Sequence, residues 1–438
     1  MRSFRVPPPA MLCAIYLSSI LVGAGLLLLP ISTVEPIGYT TALFISTSAV
    51  TVTGLSTVDV GATFSLFGEI VIAALIQLGG LGLMTFAVLV LSALGIPVGM
   101  PQRLILREDL GQTTLNNLTV LVRIILTVAV SCELVATAVL AFVFVPEFGW
   151  AQGLWHALFH AISAFNNAGF STLSTGLVPY VADPVINVMI PALFILGGLG
   201  FVVVGDIFQK REWQHLTLHS KIMLSGTLGL ILWGFITFAA LEWTNPGTLG
   251  ALPSTGDRLW AAWFQAVTPR TAGFNTVDTA AMHDSTTLMT MLLMAVGGGS
   301  TSTAGGIKVT TLVVLLLATV AFFRRTSSLS IFGRAIKAEE LLKVLALTTV
   351  SMILVFTGLF AISISHDGEF LDLAFEVVSA FGTVGLSRGA TGSLDELGLA
   401  LIMVIMFAGR VGPLALGFFL ATRSTPRVKY PPGQIYLG

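Results

Sequence analysis

The sequence predicts an all-α integral membrane protein. It would hold four pseudo-symmetric span–pore helix–span units, with eight spanning helices and four re-entrant pore helices, around a central ion path. Three observations carry this reading. Of 438 residues, 55% are hydrophobic and 10% charged, with mean hydropathy +0.93; a soluble domain carries about a quarter charged residues. Apolar stretches near or above the ~20 residues that cross a bilayer recur along the chain. Between them, a polar, glycine-marked interruption returns at nearly constant spacing.

The chain opens on "MRSFRVPPPAMLCAIYLSSILVGAGLLLLP", with Arg2 and Arg5 ahead of an apolar run. No small-residue cleavage site precedes the next element, so the run reads as an uncleaved first span rather than a signal peptide. The predicted spans are 10–30, 66–94, 118–145, 185–207, 221–242, 286–323, 343–365 and 397–422. They fall in pairs. Inside the pairs lie "TTALFISTSAV" (40–50), "GLWHALFHAISAF" (153–165), "DRLWAAWFQAVTP" (257–269) and "LDLAFEVVSAF" (371–381). Each is about three helical turns, too short to span and suited to dip in and out where protein or water surrounds its end.

After the short segments come "TVTGLST" (51–57), "NNAGFST" (166–172), "RTAGFNT" (270–276) and "GTVGLSR" (382–388). Gly54, Gly169, Gly273 and Gly385 are followed by Leu, Phe, Phe and Leu, and lie 115, 104 and 112 residues apart. This is an internal repeat, with units 1–98, 99–212, 213–328 and 329–438, the last including a C-terminal tail. The second spans echo it with small residues: Gly79 and Gly80, Gly197 and Gly198, Gly297 to Gly299, Ala408 and Gly409. Small residues also serve plain helix packing in membranes.

Basic residues gather at the N-terminus, between repeats and at the C-terminus, among them Arg103, Arg107, Lys210, Arg211, Lys221, Arg324, Arg325, Arg334, Lys337, Lys343, Arg423, Arg427 and Lys429. The positive-inside bias makes that side cytoplasmic, with both termini there. The other side is rich in acids, such as Glu35, Asp59, Glu69, Glu147, Asp183, Asp278 and Asp395, which would concentrate cations. Its basic residues by this topology are Arg258, Arg270 and Arg388. A net charge of −1 gives nucleic acid no footing. Cys13 and Cys132 sit in apolar runs and form neither a disulfide framework nor a CxxC site.

Four re-entrant loops around one axis make a ring. A short helix aiming its C-terminus inward presents partial negative charge. A glycine-marked strand after it can turn carbonyls inward and replace a cation's hydration shell. A phosphate cradle would instead need amides at a helix N-terminus; here the glycine follows the helix. The filter candidates, acting through backbone, are Val52, Thr53, Gly54, Asn167, Ala168, Gly169, Thr271, Ala272, Gly273, Thr383, Val384 and Gly385.

One-glycine filters in four linked span–pore–span units resemble the Trk/Ktr/HKT superfamily of potassium transporters. "TPRTAGFNTVD" and "STAGGIKVTT" (302–311) look most like KtrB-type membrane subunits of bacterial Ktr potassium uptake systems. The resemblance covers essentially the whole chain. It implies K+ uptake across the bacterial plasma membrane, a homodimer, and a cytosolic nucleotide-binding regulatory ring of the KtrA kind. It implies K+ as cargo and filter ion, with Na+ dependence open, and no organic cofactor. There are departures. Glycine alone is common to the four filters, "TVGL" (383–386) being nearest to the TVGYG of four-chain channels, which implies weaker discrimination against Na+. Arg388 stands where the other repeats have Thr57, Thr172 and Thr276, adding positive charge at the outer mouth.

Gly297, Gly298, Gly299, Ser300, Thr301, Ser302, Thr303, Ala304, Gly305 and Gly306 interrupt the sixth span. They read as a mobile intramembrane gate beneath the filter, unique to the third repeat, against a static kink as the alternative. Lys308 and Arg410 are intramembrane charges, each costing about 2.5–3.5 kcal/mol at a helix centre. Arg410 is expected near the gate, repelling cations or bonding its carbonyls; the alternative is snorkelling. Glu133 reads as a carboxyl paired between helices, or as a proton carrier. His156 and His160 have the spacing of a zinc pair but no third ligand, and their aromatic neighbours favour packing. A Na+-coupled or alternating-access secondary transporter is the second functional reading, with Gly-broken helices forming a midplane site. No nucleophile–base pair supports an enzyme.

Overall fold

The computed structural model describes residues 8–82, 118–326 and 329–412. Its helices are α1 (Pro8–Leu27), α2 (Tyr39–Val50), α3 (Val60–Thr63), α4 (Leu66–Leu81), α5 (Leu118–Phe165), α6 (Pro184–Leu199) and α7 (Phe201–Lys210). They continue as α8 (Leu218–Glu242), α9 (Thr255–Val267), α10 (Asp284–Ala295), α11 (Val309–Phe323), α12 (Ala338–Ser365), α13 (Phe370–Gly382) and α14 (Glu396–Val411). A two-residue hairpin pairs β1 (Ser330–Ile331) with β2 (Arg334–Ala335) before α12.

Among the described residues, three helical stretches are long and apolar enough to cross a membrane: Ile125–Phe165, Leu218–Glu242 and Ala338–Ser365. α6 and α7 together would make a fourth, bent by 95° between them. Met11–Leu27, Leu66–Leu81 and Val309–Phe323 are shorter apolar helices. The far ends of the predicted spans 66–94 and 397–422, the boundary at 98, and Arg103, Arg107, Arg423, Arg427, Lys429 and the tail lie outside the described residues.

The long helices leave large apolar side chains exposed, including Phe142 on α5, Ile236 on α8 and Phe360 on α12. Such a surface is matched by lipid tails. The inward faces build the core around the short helices α2, α9 and α13 and the end of α5. Several acids of the predicted acidic face are occupied in starting helices. Asp59 caps α3, Asp183 caps α6 and Asp395 caps α14, each accepting from backbone N–H groups.

Packing between repeats follows one rule. α4 packs on α5, α6 on α9, α10 on α13, and α14 back on α2. In each case a second span meets the next repeat's first or short helix, and the last returns to the first. Small residues permit close approach within repeats 1, 2 and 4. A Cβ on Gly79 would collide with the Val50 carbonyl oxygen, on Gly197 with that of Phe165, and on Gly409 with that of Phe381. All three carbonyls belong to the last turn of a short helix. The counterpart of Gly79 in the fourth repeat is therefore Gly409, one residue later than the sequence comparison set it.

Residues 118–145 and 153–165, predicted as separate elements, are two helices parted at Gly149, whose φ of 79° glycine alone adopts without strain. One expectation is corrected. The break in the second span is not confined to the third repeat. α4, α6 and α14 end at Gly82, Gly200 and Gly412, with φ/ψ of 87°/125°, 96°/137° and 92°/138°. The sequence shows only one glycine at each, and glycine in a membrane helix is common, so the break left no compositional mark.

The close approach at Gly197 sets a test. Gly197→Ala should lower stability by about 1–3 kcal/mol through overpacking. Gly205→Ala, on α7 with open space around the position, should leave it unchanged or slightly raise it. Thermal unfolding in detergent compares the two.

Candidate functional site

Each short helix leads directly into a three-residue strand, and the four strands share one backbone conformation. Val52, Asn167, Thr271 and Thr383 have φ of 49°, 57°, 68° and 49°; the glycines two residues later, Gly54, Gly169, Gly273 and Gly385, have φ of 93°, 69°, 77° and 92°. Left-handed φ is uncommon for non-glycine residues and a true outlier for β-branched ones, so its fourfold recurrence marks a constrained site. The eight non-glycine filter candidates are buried.

The strands touch in a closed cycle. A Cβ on Gly54 would collide with the Ala168 carbonyl oxygen, on Gly169 with that of Ala272, on Gly273 with that of Val384, and on Gly385 with that of Thr53. All twelve predicted filter residues are thus brought together, and each glycine is required by the next strand's backbone. Gly54→Ser would place its side chain on a backbone oxygen at a φ that L residues resist.

Hydroxyls brace the strands. Ser48 Oγ accepts from Gly54 N at 3.0 Å, and Ser379 Oγ from Gly385 N at 3.1 Å. Ser163 Oγ donates to the Phe170 carbonyl at 2.8 Å, and Thr268 Oγ1 to that of Phe274 at 2.5 Å. The sequence reading missed these residues, although "SAV", "SAF" and "SAF" at 48–50, 163–165 and 379–381 stand at a shared offset from their glycines.

On the other side of the glycines, repeats 2 and 4 tie short helix to strand by polar pairs at matching positions. His156 Nδ1 and Thr172 Oγ1 are 2.7 Å apart, and His160 Nε2 and Ser171 Oγ 3.0 Å. In repeat 4, Arg388 Nε donates to Asp372 Oδ1 at 2.6 Å and Ser387 Oγ to Glu376 Oε1 at 2.5 Å. The histidines are thus engaged in holding strand 2, as the packing alternative expected. Arg388 is corrected. Its side chain is only 9% exposed, paired with Asp372 and donating to Thr287 Oγ1 at 2.7 Å. It is a buried strut whose charge is matched, not a free charge at the mouth. Among the described residues, repeats 1 and 3 show no such pairs, and the hydroxyls of Thr57 and Thr276 are buried without a partner.

The 297–306 loop lies against the starts of the strands. It is stitched to α6 by Gly299 N to Gly198 O at 2.7 Å and Thr303 N to Gly197 O at 3.2 Å, and to its own flanks by Gly297 N to Ile307 O at 2.8 Å. Thr303 Oγ1 donates to Asn167 Oδ1 at 2.6 Å. A Cβ on Gly305 would collide with Thr383 Oγ1. Three cations hold the loop's carbonyls. Arg410 donates to the Thr303 carbonyl and also to those of Gly79 and Gly80; Lys308 Nζ donates to Ala304 O at 2.6 Å; Arg270 approaches Gly297 O at 3.4 Å. Arg410 therefore bonds the loop rather than snorkelling. Arg270, buried behind strand 3, was not singled out as a loop contact.

Glu133 Oε1 accepts from Gln77 Nε2 at 2.9 Å and from Asn166 Nδ2 at 3.2 Å. It joins α4, α5 and the residue before strand 2, in keeping with the pairing alternative. Cys13 and Cys132 are both free.

The family described as TrkH, cation transport protein, matches residues 17–424. The chain belongs to this family. The family is one of cation transporters, and its Ktr/Trk kinship agrees with the motif reading. The chain is 46% identical to Ktr system potassium uptake protein B of Bacillus subtilis (strain 168), over 99% of this chain and 97% of that one. It is 40% identical to the protein of the same name from Vibrio alginolyticus, over 98% and 95%. It is 38% identical to potassium/sodium uptake protein NtpJ of Enterococcus hirae, over 99% and 98%. The crystal structure of the potassium transporter TrkH from Vibrio parahaemolyticus superposes with TM-score 0.76 at 19% identity, covering 96% of this chain and 86% of that one; it shows the family's fold.

The strut in repeat 4 can be exchanged for its counterpart in repeat 2. Arg388→Thr alone strands Asp372 and should cost about 1–2 kcal/mol, after allowance for partial exposure. Adding Asp372→His installs the repeat 2 pair and should recover most of that. Thermal unfolding of the single and double variants checks the coupling.

Proposed function

We propose that this chain is the K+-conducting membrane subunit of a bacterial potassium uptake system, channel-like in mechanism. Four pseudo-symmetric units, 1–98, 99–212, 213–328 and 329–438, would surround one ion path with eight spans, both termini cytoplasmic. The observation that carries the reading is the closed cycle of four glycine strands. It supports a ring of carbonyls from Thr53, Ala168, Ala272 and Val384, which can replace water around a dehydrated cation. The short-helix C-termini add partial negative charge at the same place. The names of the three relatives, two of them potassium uptake proteins and one a potassium/sodium uptake protein, support K+ as cargo.

The 297–306 loop acts as the gate beneath the filter. Its placement against Asn167 and Thr383, and its carbonyl bonds to Arg410 and Lys308, support this role. Half-buried positive charge, with no carboxylate partner among the described residues, opposes a cation in the path. A cytosolic regulatory subunit would move the loop from the segments 208–220 and 324–342. Trp213 and Phe332 pack edge to face at 6.1 Å and join those two segments. Exposed Phe208 offers an anchor beside them. The assembly is a homodimer on the same kinship. NtpJ's name includes sodium, and one shared glycine per filter accords with modest discrimination against Na+.

Purified protein in liposomes tests both elements. Gly54→Ser should lower the K+/Na+ flux ratio by about tenfold, since it disrupts one quarter of the carbonyl ring; an unchanged ratio in folded protein would remove 52–54 from the filter. Deleting 299–304 should raise Rb+ uptake in the absence of any partner, and Arg410→Ala should raise it less. Unaltered uptake by the folded deletion variant would make the loop a structural kink.

A further inference from the structure

Filter and loop are joined by side chains as well as by proximity. Thr303 is fully buried, and each of its polar groups is engaged. Its N–H donates to Gly197 O, its carbonyl accepts from Arg410, and its hydroxyl donates to Asn167 Oδ1 at 2.6 Å. Asn167 passes the bond on, its Nδ2 donating to Thr271 Oγ1 at 3.2 Å. Asn167 and Thr271 open strands 2 and 3, both with left-handed φ. Such conformations cost about 1–3 kcal/mol each and persist where surroundings over-determine them. The Thr303–Asn167–Thr271 chain is one of those surroundings. The ring carbonyls of Ala168 and Ala272 belong to the residues next in sequence to Asn167 and Thr271, whose side chains this chain fixes.

We infer that Thr303 is a specificity-determining positioning residue: its hydroxyl, acting through Asn167 and Thr271, holds two of the four filter strands at the spacing that favours K+ over Na+. The inference rests on the filter reading given above. It also couples the loop to the filter. A loop that withdraws breaks the Thr303–Asn167 bond, so the released state holds strands 2 and 3 less firmly. Fold placement explains why Thr303 alone can do this. Strand 1 begins with Val52, which has no polar side-chain atom, and at strand 4 the loop presents Gly305 to Thr383.

The test uses the full chain in liposomes, with Na+ competing against Rb+ uptake. Thr303→Val keeps the shape and removes the hydroxyl; Thr303→Ser keeps the hydroxyl. Thr303→Val should lower Rb+/Na+ discrimination by about three- to tenfold, the worth of one neutral hydrogen bond, and Thr303→Ser should restore it. Asn167→Ala breaks the same bond from the filter side, and should lower discrimination alike even if Thr303→Val fails to fold. The double variant should be no worse than the poorer single one. A Thr303→Val protein with altered total uptake but wild-type discrimination would overturn the inference and leave the loop a gate only. Additive losses in the double variant would overturn it too. A wild-type protein without preference for Rb+ over Na+ would sink the filter reading itself, and this inference with it.

Discussion

Irregular backbone at membrane depth is tolerated only where protein buries it, because lipid offers no hydrogen bonds. That constraint organises this molecule. Four three-residue strands leave the helical state in the protein interior, and each must find its surroundings in another repeat. The glycine of every strand lies on the backbone of the next, and the fourth returns to the first. None of the four can be removed without exposing the edge of its neighbour. The second spans reproduce the logic at the next level, each packing on the following repeat. Even the glycines once attributable to plain helix packing, Gly79, Gly197 and Gly409, serve the strands by letting the second span close on the end of a short helix.

The fourfold likeness is of backbone more than of side chain. Repeats 2 and 4 anchor their strands with polar pairs, His156–Thr172 with His160–Ser171, and Asp372–Arg388 with Glu376–Ser387. Repeats 1 and 3 place Ile45 and Phe264 where these have His160 and Glu376. The ring therefore has two polar and two apolar corners facing each other in sequence order. The third repeat adds the loop; the second and fourth meet it through Asn167 and Arg410, and Arg410 also donates to the Gly79 carbonyl of the first.

What was legible in the sequence were features that change composition. A polar "TVTGLST" between apolar runs, repeated with its glycine, yields the repeat, the filter and the class of ligand. The ten-residue insert at 297–306 is visible for the same reason, and Arg410 stands out as a charge among apolar residues. What stayed hidden changes geometry without changing composition. The breaks at Gly82, Gly200 and Gly412 each turn on one glycine in a glycine-rich helix. Arg388 looked like an unmatched charge because its partner Asp372 lies a helix away in the chain. The bracing serines carried a signal, the recurring Ser-Ala pair before each of three filters, but hydroxyls in short membrane helices are common enough to pass as packing.

The central claim is that the four strands form one cation site from backbone carbonyls. Anomalous diffraction from crystals soaked in Rb+ or Tl+ addresses it most directly. The account predicts a peak on the axis of the cycle, shared by the carbonyl oxygens of Thr53, Ala168, Ala272 and Val384 and lost on exchange into Na+ or Li+. A peak held instead by side-chain carboxylates such as Glu69 and Glu147, with none on that axis, would contradict it.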